Sequence, residues 1–449
     1  MLVKFSLVFF VFLFVGCSEN TNEQKLEYIN VLSVSLDGSS YSSNISEIKV
    51  NTSLKISFSK ALNPEVFKNS IIISPISGKI DSLVYLNNST TVEIFLNLEY
   101  STEYNIKING LIGLNGETIM EPLEIIFTTQ EDEIIKSKQP CINVNDCLQS
   151  KSFTNPTGTG NFNFFSNYPL YEDKAKWENL EKAIIVIHGA SINPDDYFTY
   201  LTTSIESMGI SDKTILLAPH FKDSPLENDD LYWSSLGYRD GKVSNGNVNI
   251  SSFEILDLMI ERLSNRFFFP VLNEIIITGQ SSGGRFVHTY AAGNRSESLF
   301  ADINFEYIVS ESQYFYYPTA ERIDQQTNNL YSTTNCSAIN IWPYGFQASP
   351  SYVADIGKNL FDERFVNRNI TYLLGNGSGA DNTLNNTNCA AILSGSSRYI
   401  RGENIFRYMD LKFSNHKHKK VVAEGISHNG SAIYNSSAFK NLILQLYTN

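Results

Sequence analysis

Basic residues are in short supply: 34 lysines and arginines face 47 aspartates and glutamates, a formal charge of −13. Phosphate backbones bind surfaces of the opposite sign, so the balance argues against a nucleic-acid partner. Histidine and cysteine are scarcer still, at six and five residues. Neither occurs in the CxxC or HxxxH spacing that builds zinc sites, so no metal centre is expected. After the first 15 residues no apolar run approaches the ~20 residues that cross a bilayer. What the chain does have is 42% hydrophobic and 12% aromatic residues over 449 positions. That is enough to build sizeable cores and rules out a mainly disordered chain. The length calls for two domains, or one with insertions.

The one strongly apolar run lies at the start. Residues 5–15 follow a basic Lys4 and contain only Ser6 as a polar break, which is a signal-peptide pattern and too short for a permanent span. The next residues complete Phe14-Val15-Gly16-Cys17, which resembles a bacterial lipobox. The resemblance implies cleavage before Cys17 and its acylation. Residues 1–17 are then a lipoprotein signal and residues 18–27 a polar tether. The expected location is the bacterial cell envelope, at the outer membrane or cell surface, with membrane contact through the lipid. Four cysteines remain, Cys141, Cys147, Cys336 and Cys389. An even number in an oxidising compartment reads as two disulfides with three possible connectivities. Cys141 with Cys147 closes a short loop, and that pairing leaves Cys336 with Cys389.

From residue 28 to 130 the pattern is all strand. NVLSVSL, EIKVNTSLKISFS, NSIIISP, IDSLVYL, TTVEIFLN, EYNIKIN and LEIIFTT are β-branched runs separated by Asn, Gly, Ser or Pro. Seven such runs predict an antiparallel sandwich. The pieces ISFSKALNPEVF, LEYSTEYNIKINGLIGLNGETI and IIFTT resemble bacterial Ig-like domains of exported proteins. No His, Asp or Glu cluster gathers there, so a spacer or binding module is expected. Residues 131–152 read as a linker. From 153 to 449 the periodicity changes to continuous apolar runs: AIIVIHG, TILLAPH, EIIITGQ, YIVSES and ITYLLGN. Strands of that kind are buried on both faces. Between them lie helical patterns such as SSFEILDLMIERLSNRF, with Phe253, Leu256, Ile260 and Leu263 on one face. Alternating strands and helices predict a mostly parallel sheet covered on both sides.

The chemistry concentrates in ITGQSSGG, residues 277–284. A strand precedes it and a helix, residues 283–292, follows. GxSxG in that setting is a nucleophile elbow. Gly279 and Gly283 flank Ser281 at two residues either side, whereas Ser282 has Gln280 and Gly284. Register therefore selects Ser281 as nucleophile and leaves Ser282 to offer its N–H to an oxyanion. A serine needs a base, and four histidines follow it: His288, His416, His418 and His428. His288 lies on the elbow helix, and His416 and His418 lie in a solvated NHKHKK run. His428, where the strand VVAEG runs into a loop, is the base expected. For the acid, Asp381 follows the strand ITYLLG, with Asp355, Asp362 and Glu363 as alternatives. The second oxyanion donor should be the N–H of Ala190, after the strand AIIVIHG. His188 is expected to hold that loop.

Residues from about 180 to 440 resemble the α/β-hydrolase superfamily, and within it a group of secreted hydrolases of bacteria and fungi. The pieces that carry this are HGASINPDDYF, YWSSLGYRDG, ISSFEILD, ITGQSSGGRFVHTYAAG, CSAINIWPYGF, CAAILSGSSRYIRG and GISHNGSAI. The resemblance implies Ser281, Asp381 and His428 as a triad, a Cys336–Cys389 staple beside the active face, and ester chemistry without metal or organic cofactor. Tyr197, Trp233 and Tyr314 are candidates to line the substrate pocket, as are Tyr238, Tyr317 and Trp342. The expected protein is thus multidomain, an Ig-like sandwich followed by a hydrolase of small or polymeric carboxylic esters. A serine peptidase on the same fold, or a surface adhesion lipoprotein with a decayed hydrolase domain, would share much of this pattern.

Overall fold

A computed structural model describes residues 27–448 apart from residues 44, 111, 132–137, 247 and 380. The expected signal peptide, most of the tether and Cys17 lie outside the described residues. The chain divides into two compact units, Met1–Glu133 and Ile134–Asn449.

The first unit is a β-sandwich. One sheet orders Ile45–Ile48, Leu123–Thr129, Glu103–Ile108 and Ile71–Ser74; the other orders Ser39–Ser40, Val31–Leu36, Asn51–Phe58, Thr91–Asn97 and Lys79–Leu86. Asn51–Phe58 alternates strictly, with Leu54, Ile56 and Phe58 turned inward against Ile94, Ile106 and Phe127. All seven predicted runs are strands, but EIKVNTSLKISFS is two of them. Lys49 and Val50 leave the ladder, so Ile45–Ile48 joins one sheet and Asn51–Phe58 the other.

The second unit is built on one eight-stranded sheet. Its strands are β1 (Leu148–Asn155), β2 (Gly158–Ser166), β3 (Lys182–Ile187), β4 (Thr214–Pro219), β5 (Glu274–Gln280), β6 (Asn304–Ser310), β7 (Ile370–Gly375) and β8 (Lys419–Ala423). Their spatial order is β1-β2-β4-β3-β5-β6-β7-β8. From β4 to β8 every pair is parallel, and β2 runs antiparallel to both neighbours. That order, with helices packed on the sheet, is the α/β-hydrolase architecture. β3, β4 and β5 are buried at every position, as their unbroken apolar runs require. The predicted linker is corrected by β1, which takes Leu148 onward into the sheet. Its hairpin with β2 alternates polar and apolar residues, with Phe162 and Phe164 inward, and so lacks the apolar run that marks the inner strands. The disulfides are Cys141–Cys147 and Cys336–Cys389.

The helices that matter for the site are α1 (Pro194–Ser207), α2 (Ser252–Ser264), α3 (Ser282–Gly293), α4 (Lys358–Asn367) and α5 (Arg398–Lys412). α2 starts at Ser251 in a capping box with Glu254, and Phe253, Leu256, Ile260 and Leu263 are all fully buried. Phe253 packs edge-on against Phe286, 4.8 Å between ring centroids, and against Tyr290 and Tyr352. Phe253→Ala leaves a ring-sized cavity beneath the elbow helix and is expected to cost about 3–5 kcal/mol in chemical denaturation.

Candidate active site

The elbow is built from backbone. β5 is fully buried and ends directly at Ser281, which sits at φ 61°, ψ −113°. That is a left-handed conformation for a residue with a side chain, of order 1–3 kcal/mol above the usual basins. The surrounding chain holds it there. Ser281 N–H donates to Ser310 O at the end of β6 (3.0 Å), and α3 begins at the next residue. The flanking glycines are steric requirements. A methyl on Gly279 would stand 2.4 Å from the Gly283 carbonyl carbon, and one on Gly283 would stand 2.0 Å from Ile187 O. Gly283→Ala would have to push β3 away from α3, so it is expected to cost about 3 kcal/mol or to prevent folding. Thermal denaturation of the purified variant measures the cost.

The loop after β3 is locked from its buried side. His188 is fully buried, its Nε2 accepts from Phe221 N–H (3.1 Å), and its Nδ1 lies 2.9 Å from Gly189 O. Only the Nδ1–H tautomer satisfies both contacts. Burial drives its pKa down to about 3, so it stays neutral, as a loop-holding histidine should. Tyr238 Oη donates to the same Gly189 carbonyl at 2.9 Å. A trans peptide points its N–H opposite its C=O. With Gly189 O drawn toward His188 and Tyr238, the Ala190 N–H on that peptide faces the other way, and Ala190 itself is exposed. Ser282 N–H opens α3, where the helix dipole adds partial positive charge.

His428 follows β8, and its ring reaches the residue just before the nucleophile. Nδ1 lies 2.8 Å from Gln280 Nε2 and 3.4 Å from Glu311 Oε2, and Gln280 Nε2 lies 3.3 Å from the same carboxylate oxygen. Glu311 stands directly after β6, is 3% exposed and has φ 46°. Its backbone is held by its own N–H to Leu373 O and by Arg398 Nη1 on its carbonyl. Tyr197 Oη donates to Gln280 Oε1 at 2.6 Å, which pins the far end of the amide. The two neighbours of Nδ1 pull in opposite directions. The amide nitrogen is a donor and suits a bare Nδ1, whereas the carboxylate suits Nδ1–H.

Asp381 is not brought to His428. It follows β7, as chain order suggested, but Oδ2 accepts from Arg398 Nε (2.5 Å) and Oδ1 from the Thr383 N–H and hydroxyl. Burial opposes its ionisation, yet the hydrogen bonds from Thr383 and Arg398 prevail and hold its pKa at about 2. Its visible task is to fix Arg398, which in turn holds the Glu311 carbonyl. A carboxyl whose folded pKa lies below its unfolded value stabilises the fold above the unfolded pKa, and that support fades as pH falls through the folded one. The difference in unfolding midpoint between wild type and Asp381→Asn is therefore expected to be full at pH 7 and to shrink between about pH 4 and pH 2. The other acids considered are also engaged elsewhere: Asp362 pairs with Lys358 and Tyr316, and Asp355 stands 3.9 Å from Arg295. The carboxylate that the structure does set beside His428, Glu311, is one that the sequence reading does not single out. Its signal lay in YIVSES, whose last residues sit at the end of the strand beside β5.

Other expected positions divide. Trp233 borders a cavity that does not include Ser281; it is fully buried, donates to Lys242 O (3.0 Å) and packs on Phe221 and Phe162 of the core. Tyr197 serves Gln280, Tyr238 serves the Gly189 loop, and Tyr317 is buried with Arg322 over its ring. Tyr314 does stay near the elbow, with the Arg285 guanidinium 4.6 Å and the Arg239 guanidinium 5.7 Å from its ring centre. Trp342 is half-buried and packs on Tyr316 and Phe361. His288 is buried and accepts from Tyr316 N–H, its pKa lowered by burial to about 3. His418 departs from the solvated run expected: it is 5% exposed, between Tyr372 Oη and Phe365 O. Cavities of about 630 Å³ beside Gln149 and Tyr171, and about 390 Å³ beside Trp233 and Pro350, include none of Ser281, His428 and Glu311.

A sequence profile for bacterial Ig-like domains matches residues 34–129, the span of the sandwich. The first unit is a bacterial Ig-like domain. A comparison with curated protein sequences gives no match. Solved structures similar in shape include a poly(3-hydroxybutyrate) depolymerase from Bordetella parapertussis, with TM-score 0.44 and 17% identity over 64% of this chain and 86% of that one. A poly(aspartic acid) hydrolase from Sphingomonas aligns with TM-score 0.43 and 18% identity over 67% of this chain and 98% of that one. A siderophore hydrolase from Aspergillus nidulans aligns with TM-score 0.36 and 15% identity, covering 64% and 92%.

Proposed function

We propose that the second unit is a serine hydrolase of carboxylic esters, with Ser281 as nucleophile, His428 as base and Glu311 as the acid. Ser281 Oγ attacks the ester carbonyl as His428 Nε2 takes its proton. The oxyanion that forms is held by the N–H groups of Ala190 and Ser282. Collapse expels the alcohol, which receives the proton from His428, and leaves an acyl group on Ser281. Water then attacks that acyl group with His428 again as base, releasing the acid. Throughout, the Glu311 carboxylate steadies the imidazolium and favours the Nδ1–H tautomer that leaves Nε2 free to accept.

The observation that carries this reading is the serine held at positive φ at the end of β5, with His428 and a buried glutamate gathered on the residue before it. A panel of short-chain, aromatic and polymeric esters beside peptides tests the reaction class. Ester cleavage is expected; exclusive cleavage of peptides would make the protein a peptidase, and no turnover of any ester or peptide would favour an adhesion role.

Export and a lipid anchor at Cys17 belong to the same proposal, supported by the apolar leader and the Gly16-Cys17 pair. Palmitate incorporation is expected in wild type and lost in Cys17→Ala. Equal incorporation in both would rule the anchor out.

A further inference from the structure

The chain is acidic overall, yet the ground next to Ser281 is cationic. The loop after β4 brings Arg239 over the elbow, where its Nη1 donates to Ser282 Oγ at 3.3 Å. Arg285, one turn into α3, is 6% exposed and paired with Asp240. Both guanidiniums face the Tyr314 ring, which packs 5.8 Å from the Tyr344 ring. Arg401 is also within electrostatic reach of both tyrosines, its donors spent on the carbonyls of Gly395, Gln313 and Asn385. Two guanidiniums therefore stand over Tyr314 and a third acts on both rings through its charge, with Asp240 as the carboxylate paired to Arg285. Among the described residues no carboxylate lies within ion-pair distance of Arg239.

The hydrogen-bond accounting is what makes this more than packing. Three buried donors in the cluster have no partner among the described residues: Arg239 Nε, Arg285 Nε and Tyr344 Oη. Each unpaired buried donor costs about 1–3 kcal/mol, so proteins seldom leave several together. Unpaired donors beside excess positive charge are what an anion-binding site presents before its ligand arrives. A net charge of −13 repels anionic molecules at long range, so a substrate carrying negative charge requires such a local site.

We infer that Arg239, with Arg285 and Tyr344, forms a subsite for a carboxylate on the substrate. This inference rests on the ester-hydrolase reading of Ser281. The substrate class is then the half-esters of dicarboxylic acids, or esters carrying a free carboxylate close to the scissile bond. A guanidinium suits that group, since its planar fork matches the two carboxylate oxygens.

The test separates binding from turnover. In Ser281→Ala protein, calorimetry with monoethyl glutarate and diethyl glutarate reads affinity without hydrolysis. The monoanion is expected to bind about tenfold or more tightly than the neutral diester, and Arg239→Gln in the same background should erase that preference. Tyr344→Phe removes a hydroxyl that supports nothing else in the described fold, and is expected to weaken the monoester about threefold or more while leaving the diester alone. Equal affinity for both esters, or a preference that survives both substitutions, overturns the subsite. So does an equal loss on both esters in Arg239→Gln, which would assign the guanidinium to the oxyanion or the fold. If the preference holds while wild-type protein hydrolyses neither ester, the subsite stands and the esterase reading falls.

Discussion

Glu311→Gln is expected to lower kcat by roughly 10³- to 10⁴-fold, while Asp381→Asn lowers it by less than about tenfold. The two carboxylates follow adjacent strands, and chain order alone favours Asp381. Geometry favours Glu311, because its Oε2 stands 3.4 Å from His428 Nδ1 while Asp381 is tied to Arg398 and Thr383. An amide at position 311 keeps the volume but removes the charge that stabilises imidazolium. It also offers His428 no strong reason to carry its proton on Nδ1, and a proton on Nε2 blocks the base. Asp381→Asn disturbs Arg398, which touches the Glu311 carbonyl and not the reacting atoms, so its effect should appear mainly in stability. Steady-state kinetics of the two variants on one neutral ester reads the difference. Comparable losses for both would return Asp381 to the acid's role.

Ser281→Ala should have the largest effect of any single change, about 10⁵- to 10⁶-fold in kcat. The hydroxyl is the atom that forms the acyl bond, and no second hydroxyl can replace it. Ser282 Oγ accepts from Arg239 and is assigned no bond to the substrate, its oxyanion role resting on its backbone N–H, so Ser282→Ala should leave most of the turnover. His428→Ala should approach the Ser281→Ala loss, since serine without a base is a poor nucleophile. Residual activity in Ser281→Ala near wild type would mean that the chemistry sits elsewhere in the chain.

Much of the fold could be read in the sequence because the relevant signals are local. Unbroken runs such as AIIVIHG and EIIITGQ belong to strands buried on both faces, and the spacing of Phe253, Leu256, Ile260 and Leu263 belongs to a half-buried helix. The glycine register around Ser281 is local too, since it records how closely α3 passes β3 and β5. What failed to show depends on contacts between distant residues. Leu148–Ser152, the start of β1, looked like linker because the outer face of its hairpin with β2 is polar and the hairpin's partner, β4, is distant in sequence. Trp233 looked like a loop aromatic, although that loop folds back onto Phe162 of β2. The carboxylate beside His428 was hidden for the same reason. Either of two neighbouring strand ends can deliver a carboxylate to one histidine, and sequence spacing does not record which side chain Arg398 has already engaged.

The most direct test of the central claim is fluorophosphonate labelling of the purified full-length protein, followed by peptide mapping of the adduct. The account predicts one adduct, on Ser281 in the peptide containing GQSSGG, at a rate cut by Glu311→Gln far more than by Asp381→Asn. A wild-type protein that takes no label, or a Ser281→Ala variant labelled as well as wild type, would contradict it.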